Sequence, residues 1–326
     1  MSQGKQMMPA ATVLEMLGWL PEGLSVTAVE IAGAGNMNRV ERLRLSDGSS
    51  LILKRAQPWV EKYPDIRAPV ERAAVEAAFY TFLAGTEAAQ AMPQHLGFDQ
   101  SNAANLFEDL GEASDGMSVY QGTAISEAVL DAVIDWMAAL HALPVPSDPL
   151  LSNAAMRALN AEHIFSFPLD LSNGYDLDAI TPGLAQCAAA LKRDAAYSAA
   201  VASARDIYLG NSGGVLLHGD LYPGSWLVTP GGIRIIDPEF CWIGPREWDI
   251  GILAAHLILS GQSPALHARL FDRYPGAIDR ALADRFAGVE IMRRLIGVAQ
   301  LPLAIGLDEK AALLNLSRTL VLGGSA

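Results

Sequence analysis

Cysteine is almost absent: the chain of 326 residues holds only Cys187 and Cys241. Two cysteines cannot form the disulfide framework of a small secreted domain, and the plain reading is two reduced thiols in a cytoplasmic protein. Long apolar runs are missing too. A membrane-spanning helix needs roughly 18 consecutive apolar residues or more; residues 250–259 come nearest, are too few, and include His256. Residues 1–20 lack a basic flank followed by a long apolar core and a small-residue cleavage site, so no signal peptide is expected. Positive charge is scarce, with 23 Lys and Arg against 36 Asp and Glu and a formal net charge of −13. Without a local basic patch, this balance argues against nucleic acid and membrane surfaces as partners. Internal repeats and low-complexity tracts are also absent.

What is present is a folded chain, 51% hydrophobic, long enough for two lobes with sizeable cores. Its densest chemistry lies in 216–251, LLHGDLYPGSWLVTPGGIRIIDPEFCWIGPREWDIG. The apolar run 215–217 delivers His218-Gly219-Asp220 to an exposed loop. Residues 226–228 and 233–236 read as short strands around a Pro230-Gly231-Gly232 turn, and Asp237-Pro238-Glu239 ends the second strand. Pro238 suits a strand end because it has no ladder donor, and alternation on an extended strand would point Asp237 and Glu239 the same way. Moving a phosphoryl group to a hydroxyl needs a carboxylate to orient that hydroxyl and take its proton, and further acidic oxygens for the magnesium on the phosphates. Asp220 suits the first role; Asp237 with Glu239 suits the second. The bland alternative is a hairpin with solvated turn acids.

Upstream, residues 9–20 suggest an amphipathic helix with Val13, Leu17 and Leu20 on one stripe. Strands follow at 26–31, 40–45 and 50–54, with Asp47-Gly48 as a hairpin signal between the last two. Between the first two strands lies Gly33-Ala34-Gly35-Asn36-Met37-Asn38. Its backbone N–H groups could cover phosphates, though these residues suit any tight hairpin. Lys54 follows on the third strand. A helix over 70–83, opened by Pro69, carries Glu76, which can pair with Lys54 or, alternatively, be solvated or pair with Arg72 four residues earlier. Strands near 94–98 and 105–107 lead to Glu108-Asp109-Leu110-Gly111.

Further on, a helix over 126–142 places His141 near its end as a capping or partly exposed residue. Residues 144–182, rich in proline, asparagine and aspartate, could cover an acceptor or form a surface connection with a short helix. One helix is expected over 184–209 and an apolar one over 248–259, where Asp249 would be costly without hydrogen bonds. Arg205, His256 and His267 read as structural, and Trp242 as core or as a wall beside the metal site. A final buried helix over 283–301 carries Arg293 and Arg294, whose side chains should diverge by about 100°; either could pair with Glu290.

HGDLYPGS, IIDPEF and GPREWDIG together resemble the aminoglycoside phosphotransferase and choline kinase superfamily, and within it the 5-methylthioribose kinases most closely. The Gly-Asn-hydrophobic-Asn loop, Lys54-Arg55-Ala56-Gln57-Pro58 and the twin arginine after Phe-Ala-Gly are similar as well. The resemblance implies an α+β, bilobal protein-kinase-like fold. Residues 1–110 would be an N-lobe of antiparallel sheet and helix that binds the nucleotide, and 111–326 a mainly helical catalytic and acceptor-binding C-lobe. It implies ATP and Mg2+ as cofactors, with Asp220 as catalytic base, Asp237 and Glu239 on the metal, and Asp249 bracing the catalytic loop. Gly35, Asn36 and Asn38 would cover the nucleotide, Lys54, held by Glu76, would meet the α- and β-phosphates, and backbone near Glu108 and Leu110 would bind adenine at the hinge. Arg293 and Arg294 would contact acceptor hydroxyls. Ser225 stands where most of the superfamily has a metal-binding Asn and would reach magnesium through water. The implied reaction is γ-phosphoryl transfer to a small-molecule hydroxyl, preferably the 1-hydroxyl of a methylthioribose-like sugar. Alternatives are an aminoglycoside, amino alcohol or other sugar as acceptor, or a nucleotide-binding pseudokinase with a regulatory role. A homodimer is compatible with the family. The resemblance covers most of 30–110 and 214–300 but not 112–205. Tyr222-Pro223 and the charged Arg246-Glu247-Trp248 depart from the family pattern.

Overall fold

The structure, a computed structural model, describes residues 8–33, 37–210 and 213–324. It divides into two compact units, Met1–Ala113 and Ser114–Ala326. In the first, helix α1 (Ala10–Leu17) buries Val13 and Leu14 completely and stops at Gly18, whose left-handed conformation (φ 65°) suits glycine. Strands β1 (Val26–Ile31), β2 (Asn38–Leu45) and β3 (Ser50–Ala56) follow, then a small hairpin of β4 (Trp59–Val60) and β5 (Tyr63–Arg67). Helices α2 (Arg72–Leu83) and α3 (Glu87–Gln90) precede β6 (His95–Asp99) and β7 (Ala104–Glu108). The main sheet is antiparallel in the order β1-β2-β3-β7-β6. Leu43, Leu53, Ala104 and Leu106 on its inner face pack with Ala10, Val13 and Leu14 of α1. The β4/β5 hairpin was not expected, because Pro64 and Asp65 within β5 are poor strand formers.

The second unit opens with β8 (Ser114–Asp115) and α4 (Glu127–His141), whose N-cap Ser126 accepts from the Val129 N–H. Helix α5 (Ala154–Ala161) runs directly into a π-helical stretch, Glu162–Ser166. The single helix expected over 184–209 is two, α6 (Leu184–Lys192) and α7 (Ala195–Leu209). Asp194 separates them: its carboxylate caps α7 by accepting from the Tyr197 N–H at 3.0 Å, a role acid side chains favour over a mid-helix position.

Next come β9 (Val215–Leu217), β10 (Trp226–Thr229), β11 (Gly232–Ile235) and β12 (Trp242–Gly244), then α8 (Glu247–Leu259), α9 (Pro264–Arg273), α10 (Arg280–Ile296) and α11 (Leu307–Val321). β10 lies between β11 and β8, and β12 pairs with β9. α10 stops at Ile296, short of the expected 301, because Gly297 turns to extended backbone (φ −96°, ψ −179°). α8 and α10 pack closely: Gly251 leaves room for nothing larger against Ala283, Phe286 and Ala287. This contact sets two chemically loaded helices side by side.

Candidate active site

Val215–Leu217 carries the chain to His218-Gly219-Asp220, but the loop is not the exposed one expected. His218 is fully buried, and its Nε2 donates to the Ile236 carbonyl at 2.9 Å while Nδ1 accepts from the Asp220 N–H at 3.3 Å. Burial lowers its pKa, which keeps the ring neutral and suits this tautomer. Asp249, fully buried on α8, accepts from the His218 N–H at 2.7 Å and the Gly219 N–H at 2.9 Å. Such a carboxylate is tolerable in the interior because backbone and side-chain donors surround it. One of those donors is His141, whose Nε2 lies 3.2 Å from Asp249 and whose Nδ1 lies 2.9 Å from the Tyr274 hydroxyl. His141 is therefore a buried brace rather than a capping or partly exposed residue, because its ring meets Asp249 and Tyr274 instead of solvent.

Gly219 sits at φ 87°, and any side chain there would run into the Phe240 carbonyl. Its own carbonyl accepts from Trp248 Nε1 at 2.9 Å. Trp248 is a loop anchor that sequence reasoning missed; it read only as an apolar helix residue. Ser225 is also buried, and its hydroxyl is turned into the loop, 3.0 Å from the Asp220 carbonyl and 2.7 Å from that of Tyr222.

The acidic turn differs from expectation. Asp237 and Glu239 are not alternate residues of an extended strand: Asp237 is left-handed (φ 63°, ψ 48°) and Pro238–Phe240 is a 3-10 turn. Pro238 drives this, since its fixed φ starts a helical turn more readily than it continues a sheet. A non-glycine residue at positive φ stores strain that clusters at functional sites. Asn153, from the stretch the sequence left unread, staples this turn by donating to the Glu239 and Cys241 carbonyls, both at 2.9 Å. Among the described residues no cluster of three or more His, Cys, Asp or Glu could hold a metal by itself. Magnesium, however, commonly takes one or two carboxylates and completes its shell with phosphate oxygens and water. Two carboxyl groups on a rigid turn fit that donor set. Asp220 and Asp237 both act electrostatically on His218 and on Tyr222, whose pKa burial raises to about 12.

Arg293 and Arg294 do not diverge to separate faces as adjacent helical residues ordinarily would. Arg294 Nη2 lies 3.2 Å from Asp220 Oδ1, and Arg293 Nη1 lies 3.6 Å from the same oxygen. Both also pair with the fully buried Glu290, at 2.5 Å from Arg294 and 3.0 Å from Arg293. The pair with Glu290, which the sequence offered as the alternative to contact with an acceptor, is present in both, and the two long side chains also reach Asp220. Burial alone would raise the Glu290 pKa, but the two guanidiniums outweigh it and hold the carboxyl well below its ordinary range. Arg294 also lies over the Tyr222 ring, 4.9 Å from its centroid. Trp242 is core, fully buried, with the Arg157 guanidinium 4.5 Å from its ring centroid.

In the first unit, Lys54 Nζ lies 2.8 Å from Glu76 Oε1, both side chains nearly enclosed. Arg72, one turn before Glu76 on the same helix, is buried. Its guanidinium donates to Asn38 Oδ1 and to the Gln57, Pro69 and Met37 carbonyls at 2.7–2.9 Å, which fixes the end of the Gly-rich segment. Asn38 is accordingly buried, whereas Gly35 and Asn36 lie outside the described residues. The Glu108 N–H donates to the Gln94 carbonyl at 3.0 Å and its carboxylate accepts from the Gln94 N–H at 2.7 Å; Leu110 follows, half-buried.

Fold and acidic centre together define a class. Residues 28–284 match the phosphotransferase enzyme family, and the chain belongs to it. Among curated relatives, methylthioribose kinase 1 of Oryza sativa subsp. japonica is 28% identical over 268 residues, covering 75% of this chain and 59% of its own length. Methylthioribose kinase of Erwinia tasmaniensis is 29% identical over 264 residues, covering 72% and 60%. The chain thus spans about 60% of the length of these relatives. Among solved structures, spectinomycin phosphotransferase in complex with ADP and spectinomycin aligns with a TM-score of 0.57 at 12% identity, covering 97% of this chain and 98% of that one. Choline kinase LicA from Streptococcus pneumoniae aligns at 0.52 and 15% identity, covering 95% and 97%. These likenesses show the α+β protein-kinase-like fold. No helix among the described residues is long and apolar enough to cross a membrane.

Proposed function

We propose that this chain transfers the γ-phosphoryl group of ATP to a hydroxyl of a sugar-like acceptor, with methylthioribose as the first candidate. The observation that carries the reading is the setting of Asp220. Its loop is held on one side by Asp249, His218 and Trp248, and its carboxylate is met on the other by Arg294 and Arg293. A carboxylate so fixed can orient an incoming hydroxyl and accept its proton, and the guanidiniums beside it can hold neighbouring hydroxyls. Asp237 and Glu239 would hold Mg2+, which supplies positive charge to the phosphates when bound. Ser225 serves by shaping the loop, with any role toward the metal relayed by water. Lys54, kept extended by Glu76, serves the α- and β-phosphates; Asn38 and the loop containing Gly35 and Asn36 cover the nucleotide, and the backbone near Glu108 and Leu110 takes the adenine. The relatives named methylthioribose kinase support the choice of acceptor.

The test is coupled ATP turnover with magnesium against methylthioribose, ribose analogues, choline-like alcohols and aminoglycosides. Turnover should be fastest with methylthioribose. Faster turnover with an amino alcohol or an aminoglycoside would reassign the acceptor, and no turnover with any of them would refute the phosphotransferase reading.

A further inference from the structure

An unbroken line of buried side chains leads away from Asp220. Arg294 Nη2 lies 3.2 Å from Asp220 Oδ1, and Arg294 Nε lies 2.5 Å from Glu290 Oε1. That same Oε1 lies 3.2 Å from His256 Nε2, and His256 Nδ1 lies 2.5 Å from the Tyr120 hydroxyl. His256 and Glu290 are fully enclosed, and Tyr120 and Arg294 nearly so. Tyr120 comes from the 3-10 turn Gly116–Gln121, His256 from α8, and Glu290 with Arg294 from α10.

Hydrogen-bond chemistry sets the protons along this line. Burial holds the Tyr120 pKa well above its ordinary value and lowers that of His256, so the phenol keeps its proton and the imidazole is neutral. Tyr120 then donates to Nδ1, which leaves the ring proton on Nε2, donated to Glu290. Two arginines already neutralise Glu290, so His256 and Tyr120 add no charge. What they add is direction: Nε2–H approaches the oxygen that also receives Arg294 Nε, which fixes the rotation of the carboxylate and hence the plane of the guanidinium. A polar line of this kind is no more stabilising than apolar packing would be. Its distinctive product is orientation.

We infer that Tyr120, His256 and Glu290 are positioning residues that set Arg294 and, through it, the Asp220 carboxylate. The inference rests on the reading of Asp220 as the base.

The experiment compares His256→Leu, His256→Gln and Tyr120→Phe with the wild type, at saturating ATP and acceptor, with melting temperatures taken in parallel. His256→Leu should lower kcat by about tenfold to a hundredfold, the range for lost groups that orient a functional side chain, with KM for ATP unchanged. His256→Gln, whose amide can still donate to Glu290 and accept from Tyr120, should recover most of kcat. A His256→Leu protein that melts earlier but keeps its kcat, or a Gln variant no better than Leu, overturns the inference. Nitrogen NMR of the wild type without substrate separates this failure from that of the functional reading. His256 should show the Nε2–H tautomer, and Tyr120→Phe should shift the Arg294 Nε–H signal. An Nδ1–H tautomer, or an unmoved Arg294 signal, sinks the inference whatever the turnover.

Discussion

Arg294 is shared between two carboxylates: its Nε lies 2.5 Å from Glu290 and its Nη2 3.2 Å from Asp220. One planar guanidinium can serve both, whereas a lysine ammonium is a single point charge on a flexible stem. Arg294→Lys should therefore lose one charge-assisted bond, worth about 1.5–3 kcal/mol. Acceptor KM should rise by about tenfold or more, while KM for ATP stays level. Steady-state kinetics with each substrate varied in turn would show the split, and an equal change in both KM values would contradict it.

Gly219→Ala concerns the loop itself. The position has φ 87°, and a methyl group there meets the Phe240 carbonyl, so the loop must shift and the bonds to Asp249 and Trp248 with it. The expected cost is about 3 kcal/mol or more, combining positive-φ strain with lost hydrogen bonds. Denaturant unfolding should show it together with loss of activity. A variant of wild-type stability would mean that the loop is less constrained than its contacts imply.

Glu76→Gln tests the buried pair in the first unit. Removing one partner of an enclosed ion pair costs about 3–5 kcal/mol, and the charge-neutral amide should take the lower end. Nucleotide affinity by calorimetry should fall by about tenfold or more, matching the loss of a charge-assisted bond. Acceptor binding should be untouched. Unchanged nucleotide affinity would remove Lys54 from the phosphate role.

Stability should respond to acid before the carboxylates titrate. His218 and His256 are fully enclosed, and burial lowers both pKa values from 6.5. Below about pH 6.5 the unfolded chain takes up protons that the folded rings refuse, so stability falls as pH drops, by about 1.4 kcal/mol per pH unit for each ring until its folded pKa is reached. Glu290 behaves differently. Its folded pKa lies well below the ordinary 4.5, so its contribution is complete above about pH 4.5 and is lost only at lower pH. Unfolding free energies measured from neutral pH down to about pH 5 should slope downward; a flat profile would show that both rings charge freely in the fold.

Much of this was legible in the sequence because it depends on local chemistry. Asp47-Gly48 announced the β2/β3 hairpin, and HGD with DPEF placed the acids in order. The reach of Lys54 to Glu76 was legible from strand and helix order, as was the need of Asp249 for partners. What escaped depends on contacts distant in sequence or on backbone choices that spacing does not encode. Pro238 reads equally as a strand end and as the start of a 3-10 turn, so the acidic pair was assigned the wrong geometry. Asp194 was hidden within a helical pattern. His141, Asn153, Trp248 and Glu290 matter through partners supplied by other elements; Glu290 carried one visible signal, its i+3 and i+4 spacing to both arginines, which the sequence offered as the alternative to contact with an acceptor.

The most direct test of the account is transfer of a radiolabelled γ-phosphate from ATP to methylthioribose by the wild type and by Asp220→Asn, which should keep its fold and its nucleotide affinity. Label should appear on the sugar with the wild type, dependent on magnesium, and at a rate lower by about 10²–10⁴ in the variant, the range for a lost general base. Label transferred by Asp220→Asn at a near-normal rate would contradict it.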